Sequence, residues 1–406
     1  MSFNVALTGL NAANQDLSVT ANNLANTSTV GFKGSRAEFS DLFSATQTGV
    51  SSTATGNGVA VSEVAQQFSQ GDIETTGNNL DLAISGNGFF TTSNNGALEY
   101  TRDGEFQVNS AGDVTTANGA NLQVYPPLSN GGFNTGGLAN LSLTTGESAP
   151  NATTTASLTA NLPADATTPP DATFSPTDAN SYNNTTSLTV YDSLGAAHTA
   201  SLYFIKGATA NNWNAQLYVD GNAVGTPVSL TYNSSGALID PADGNVTFPT
   251  YTPATGAADM NMTFNFNSVT QFGNNFGVTA VQQDGYTTGL LSGISIDDTG
   301  VVQAQYTNGR SIDLGQVALA NFANPQGLQQ LGDASWSATS ASGQAVNGVA
   351  GGSGFGNISS GSLEESNVDT TTSLVDMITA QRAFQANAQM IQTEDQITQT
   401  IIGIRQ

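Results

Sequence analysis

The chain has 406 residues, of which 9% are Asp, Glu, Lys or Arg, and 31 acids against 7 bases give a net charge of −24. Such a surface cannot neutralise phosphates, which requires clustered Lys and Arg, so nucleic acid and anionic lipid are excluded as partners. With no Cys and a single His, thiolate metal sites, disulfides and cysteine nucleophiles are excluded too.

The N-terminal stretch Met1-Ser2-Phe3-Asn4-Val5-Ala6-Leu7 lacks the basic and apolar regions of a cleavable signal, although the composition is that of an exterior protein. Apolar residues then recur at Phe3, Leu7, Leu10, Leu17 and Leu24, with Asn14 and Ala21 between them. Steps of four and three make the a/d seam of a coiled coil, with Asn14 as a register-setting polar position. The spacing predicts a helix about 33 Å long.

Residues 28–70 read as a connecting segment. Short alternating runs over 71–146 and 281–362 read as one β domain made of two separated pieces. Asp103-Gly104, Asn118-Gly119, Asp220-Gly221 and Asn308-Gly309 are hairpin-turn dipeptides. The Thr-, Ala- and Pro-rich stretch 146–182 reads as a boundary or extended crossing. A second β domain, 147–280, follows, with strands at Ser187–Tyr191, Thr199–Ile205 and Trp213–Val219. Residues 341–362 are Gly- and Ser-rich, and Gly351-Gly352-Ser353-Gly354-Phe355-Gly356 reads as a flexible connector.

Asp369 stands where an N-cap belongs, before a second helix free of Pro. One seam passes through Leu374, Met377, Phe384, Ala388, Ile391 and Ile402. A second passes through Ala380, Ala383, Met390, Ile397, Ile401 and Ile404. Two seams make a stripe too broad for one partner. Either the two ends pair within the chain or each helix meets several neighbouring molecules. The fold class is therefore α+β and multidomain: terminal helices (1–27 and 363–406) in a coiled-coil-like domain, a discontinuous inner β domain, and an outer one inserted in it.

No chemistry assembles. His198 has no Cys or second His beside it. Asp297-Asp298-Thr299-Gly300 lacks the alternating acids and distant Glu of a calcium loop and reads as a turn. Lys33 and Arg36 read as solvated bases, and Arg382 as paired with a neighbouring acid such as Asp376 or Asp395. The chain is expected not to be an enzyme and to carry no cofactor and no metal.

Specific words then narrow the reading. Ala21-Asn22-Asn23-Leu24-Ala25-Asn26-Thr27-Ser28-Thr29-Val30-Gly31-Phe32-Lys33 resembles the N-terminal signature of the flagellar basal-body rod and hook axial proteins. Ser366-Asn367-Val368-Asp369, followed by Met377-Ile378-Thr379-Ala380-Gln381-Arg382-Ala383-Phe384, resembles their C-terminal one. The middle, Ser187-Leu188-Thr189-Val190-Tyr191-Asp192-Ser193-Leu194-Gly195, is similar to the outer domain of hook proteins. The resemblance implies a structural subunit that self-assembles into the curved, flexible tube of the hook, the joint carrying motor torque from rod to filament. It implies extracellular placement after type III export without a cleaved signal. It also implies contacts with the distal rod protein, the hook cap protein and the hook–filament junction protein, and no membrane.

Overall fold

The computed structural model describes residues 2–42, 56–143 and 146–404. The chain divides into two compact units, Met1–Thr145 with Gly293–Gln305 and Ser311–Gln406, and Gly146–Ser292 with Tyr306–Arg310.

Unit 1 carries both helices, α1 (Ser2–Ala25) and α2 (Thr370–Ile404). α1 ends where Asn side chains offer the backbone other partners: the Asn26 amide donates to the Asn22 carbonyl at 2.9 Å and the Thr27 hydroxyl to Leu24 at 3.1 Å. α2 begins at the expected cap, where Oδ1 of Asp369 accepts the Thr372 N–H at 2.7 Å. The segment after α1 is not a mere connector. Ser35–Asp41 and Val59–Gln66 pair antiparallel, with Ala37 and Ala65 buried, while the middle of the segment lies outside the described residues.

The main sheet of unit 1 runs Val301–Tyr306, Ser311–Asn321, Asn121–Tyr125, Phe89–Asn94, Ala97–Thr101, Ser335–Ser337 and Gln329–Gly332, each antiparallel to the next. Because strand side chains alternate between faces, adjacent Phe89 and Phe90 enter different cores. Phe90 packs with Leu82, Ile84, Leu122, Val124 and Leu319, and Phe89 with Tyr100, Phe322 and Trp336.

Three turn dipeptides connect strands as expected. Asn118-Gly119 and Asn308-Gly309 place their glycines at φ 87° and 79°, and Asp220-Gly221 has φ 49° and 79°. Asp103-Gly104 does not: Gly104 has no positive φ, and a Cβ on it would lie 1.7 Å from the Leu82 carbonyl oxygen. It marks a close backbone approach instead. Asp297-Asp298-Thr299-Gly300 is a turn, with Oδ1 of Asp297 accepting from the Thr299 and Val301 N–H groups. The Gly-rich run 351–356 is not a loose connector. It is a hydrogen-bonded turn between strands Val346–Val349 and Asn357–Ser360, with the Gly351 N–H donating to the Gly356 carbonyl at 3.1 Å, and the Phe355 ring occupies the space a Cβ on Gly348 would need.

Unit 2 has two five-stranded sheets sharing one core. Asn184–Tyr191, Ala197–Lys206, Asn212–Val219, Asn222–Tyr232 and Leu238–Asp240 form an antiparallel meander. The other sheet is built around Thr155–Pro163, parallel to Thr263–Asn265 and Val269–Phe272 and antiparallel to Gly277–Gln283. The stretch 146–182 is therefore more than a boundary. Ala156, Leu158, Ala160 and Leu162 alternate into the core with Leu202, Phe204, Trp213 and Leu217.

Candidate assembly surface and the clasp behind it

The N-terminal word and the segment before α2 meet in a buried ionic clasp in unit 1. Lys33 and Glu364 are 2% and 0% exposed, and Arg102 is buried. Oε1 of Glu364 accepts from Lys33 Nζ at 2.5 Å and from the Gly71 N–H at 2.9 Å. Its Oε2 accepts from Arg102 Nη1 at 2.8 Å. Lys33 also donates to the Ser69 carbonyl at 2.8 Å, and Arg102 Nη2 to that of Gly86 at 2.7 Å. Burial pulls the Lys33 ammonium below the ordinary lysine range against the attraction of Glu364, and Arg102 beside it adds to the fall. Such charges persist in an interior only when paired and hydrogen-bonded, as these are.

Asn367 extends the clasp. Its Oδ1 accepts the Gly34 N–H at 2.8 Å, and its Nδ2 donates to the Gln67 carbonyl at 2.6 Å and to Ser69. Asn23 clips the end of α1 to Ser35 at 2.6 and 2.8 Å. Gly31, at φ 66°, passes so close to Arg102 that a Cβ would lie 2.4 Å from the Asp103 nitrogen. The Gly31 N–H donates to the Glu364 carbonyl at 2.8 Å, and Phe32 is buried beside it.

The clasp brings the roots of α1 and α2 together, and the helices run antiparallel, Gly9 against Asn387 and Asp16 beside Asp376. The faces that meet are built of small residues. Along α1, Ala6, Ala13 and Thr20 are buried with Gly9 and Asp16 between them, and along α2 Ser373 and Ala380 are buried. A Cβ on Gly9 would lie 2.8 Å from Oδ1 of Asn387, so the absence of a side chain there sets the approach. The expected seam of α1 is displaced from this face by one residue, about 100° of helix. Phe3, Leu7 and Asn14 are exposed and Leu10, Leu17 and Leu24 half-buried. On α2, Met377, Phe384, Ala388 and Ile391 are half-buried. Leu374, Val375, Ile378, Met390, Ile397, Ile401 and Ile402 stand 45–61% exposed.

Against curated proteins, the chain is 40% identical over its whole length, and over the whole of the relative, to the flagellar hook protein FlgE of Escherichia coli. The chain belongs to the flagellar hook protein family. The hook-family chain is also 39% identical to FlgE of Salmonella typhimurium over the full length of both. To FlgE of Borreliella burgdorferi it is 32% identical over 98% of each chain. Family models match in four pieces: the flagella basal body rod protein at 3–33, the flagellar hook protein FlgE/F/G D1 domain at 83–173, the flagellar basal body protein FlaE D2 domain at 161–286 and the flagellar basal body rod FlgEFG protein C-terminal at 359–404. The fold is similar to that in the crystal structure of Helicobacter pylori flagellar hook protein FlgE2. The TM-score is 0.51 at 12% identity, over 70% of this chain and 98% of that one. These relatives are structural flagellar proteins and not enzymes.

Among the residues singled out from sequence, Gly31, Phe32, Lys33, Asn367 and Val368 come together at the clasp. Asn22, Asn26 and Thr29 form the hydrogen-bonded end of α1, and Ser366 Oγ accepts the Val368 N–H at 3.3 Å. Gln381 and Arg382 remain on the exposed side of α2. Two readings need correction. Lys33 is not solvated, because Glu364 supplies a buried countercharge. Arg382 makes no ion pair among the described residues, since Ile378, Thr379, Gln385 and Ala386 occupy the positions within helical reach. Arg36 is exposed and reaches Glu38 at 2.8 Å. Glu364 and Arg102 carried no sequence signal beyond being among the few charges the chain keeps. No helix among the described residues is long and apolar enough to cross a membrane.

Proposed function

We propose that this chain self-assembles into the curved tube of the flagellar hook and transmits motor torque from rod to filament. The observation that carries the reading is the division of labour around α1 and α2. Small residues hold the pair together, while a stripe of large apolar side chains on each helix faces away from it. Exposed apolar surface of this extent marks a protein-contact face. When one face binds a different face of the next copy and the rotation does not close, a helical tube results.

In this reading residues 1–27 and 363–406 line the tube as a coiled-coil-like domain and supply the seams of Leu7, Leu10 and Leu17 and of Leu374, Ile397 and Ile401 to neighbours. Residues 28–70, with their own strand pair, join α1 to the inner domain, which takes 71–145, 293–305 and 311–362, and the outer domain inserted in it takes 146–292 and 306–310 rather than 147–280 alone. The outer strands support a bending tube. Apart from the buried His198 and Lys206 and the exposed Asp240, no strand residue from Thr155 to Gln283 carries a titratable acid or base other than tyrosine, so contacts between copies exchange with few ion pairs to break. Export through the type III apparatus without a cleaved signal, and contacts with the distal rod, hook cap and junction proteins, follow from family membership.

Immunogold electron microscopy with antibody against residues 147–280 tests the reading. Label confined to a short curved segment between cell surface and filament is the expected result. Label over the cell body, or none on the flagellum, would overturn it.

A further inference from the structure

The chain's single histidine lies in unit 2, and three segments close on it. His198 opens the strand Ala197–Lys206 and is 6% exposed. Its Nδ1 is 2.6 Å from Oδ2 of Asp220, in the hairpin turn after Asn212–Val219. Its Nε2 is 3.2 Å from Oδ2 of Asp192, a wholly buried residue at the head of the turn 192–196. The third segment supplies Thr255, whose hydroxyl donates to Asp192 Oδ2 at 2.7 Å, and Tyr251, whose ring lies 6.0 Å from the imidazole. The second oxygens are taken as well: Asp192 Oδ1 accepts the Leu194 and Ala196 N–H groups, and Asp220 Oδ1 that of Thr199, all at 2.9 Å.

A neutral imidazole has one N–H and one lone pair. With a carboxylate at each nitrogen, the neutral ring would turn its lone pair on an anion, and only the imidazolium donates to both. Burial works against that charge, but the bonds from Asp220 and Asp192 outweigh it and raise the ring's pKa above the ordinary histidine value. Burial likewise disfavours the Asp192 carboxylate, yet the bonds from Thr255, His198 and two backbone N–H groups hold it at about 2.

We propose that His198 is a cationic latch. While protonated it ties the turn 192–196, the hairpin turn at Asp220 and the segment 251–258 into one closed end of the unit, and its deprotonation as pH rises releases them. The sign follows from linkage. A base whose folded pKa is raised stabilises fully below its unfolded value, about 6.5, and that stabilisation is lost as pH climbs through the folded value. The two aspartates, both lowered, lose their share only on acidification. Tyr251, the remaining titratable group at the cluster, is raised above the ordinary tyrosine range, so the imidazole is the group that changes first in alkali.

The test uses the full chain. Because it has one histidine, long-range 1H–15N correlation spectra read this ring alone. The expected result is a ring protonated on both nitrogens at pH 7, with a midpoint above 6.5. Hydrogen exchange at the Leu194, Ala196 and Thr199 amides should accelerate across that midpoint beyond the intrinsic pH dependence. Asp192→Asn should move the midpoint back towards 6.5. A neutral tautomer at pH 7, a midpoint at or below 6.5, or protection unchanged across the midpoint would overturn the proposal, and the wild-type measurements decide it even if the variant does not fold.

Discussion

Replacing Glu364 by Gln keeps the shape of the clasp and removes its anion. Lys33 Nζ and Arg102 Nη1, 2.5 and 2.8 Å from the carboxylate, would then lie buried without a countercharge. Breaking a buried pair in this way costs about 3–5 kcal/mol, because the remaining charge has neither partner nor water. For a unit of this size each kcal/mol lowers Tm by roughly 2–4 °C, so the transition should fall by about 6–20 °C. Lys33→Met is milder, at about 1–2 kcal/mol, because Glu364 keeps Arg102 and the Gly71 N–H. Each unit holds one tryptophan, Trp336 in unit 1 and Trp213 in unit 2, so fluorescence in a Trp213→Phe background follows unit 1 alone. If Glu364→Gln melts within about 0.5 kcal/mol of its parent, the clasp does not hold the two ends of the chain together.

Leu7→Glu changes an exposed position and should leave the monomer's unfolding transition in place while abolishing tube formation; tubes of normal appearance by electron microscopy would remove α1's seam from the interface. With a net charge of −24 per copy, polymerisation should strengthen as salt rises, and light scattering that falls with ionic strength would contradict the electrostatic argument. Digestion of the monomer with chymotrypsin should trim α1 and α2 first and stop near residues 31 and 368, where the clasp begins; full protection of both helices would show that the small-residue face is sufficient by itself. Asp103, half-buried near Glu105, Asp333 and Asp81, is raised to about 6, first by desolvation and then by those acids, so it favours the protonated fold and that contribution is lost between roughly pH 4 and 6. Asp103→Asn should therefore stabilise unit 1 at pH 7 by about 1–3 kcal/mol and leave it unchanged at pH 4, a difference that urea titration at the two pH values measures.

Local rules written in the sequence determined much of this protein. Heptad spacing gave both helices, Asp369 its cap, period-two alternation the strands of the meander, and Asn-Gly or Asp-Gly three of the turns. The same rules were available at Thr155–Pro163 and at Asn95-Gly96, whose φ of 50° and 91° closes a hairpin, but a Thr- and Pro-rich composition masked the first. The two signature words located the clasp without revealing its chemistry. Only the tertiary structure decided that Lys33 is buried, because its partners, the Ser69 carbonyl and Glu364, lie 36 and 331 residues along the chain, and no local pattern encodes a pairing at that separation. It also decided which side of each helix faces inward. Periodicity fixes that a stripe exists, but Gly9, Ala6 and Ala13 let the backbones approach closely, and that approach turned α1 about 100° from the seam that apolar spacing alone selects, whereas on α2 the seam residue Ala380 stays buried.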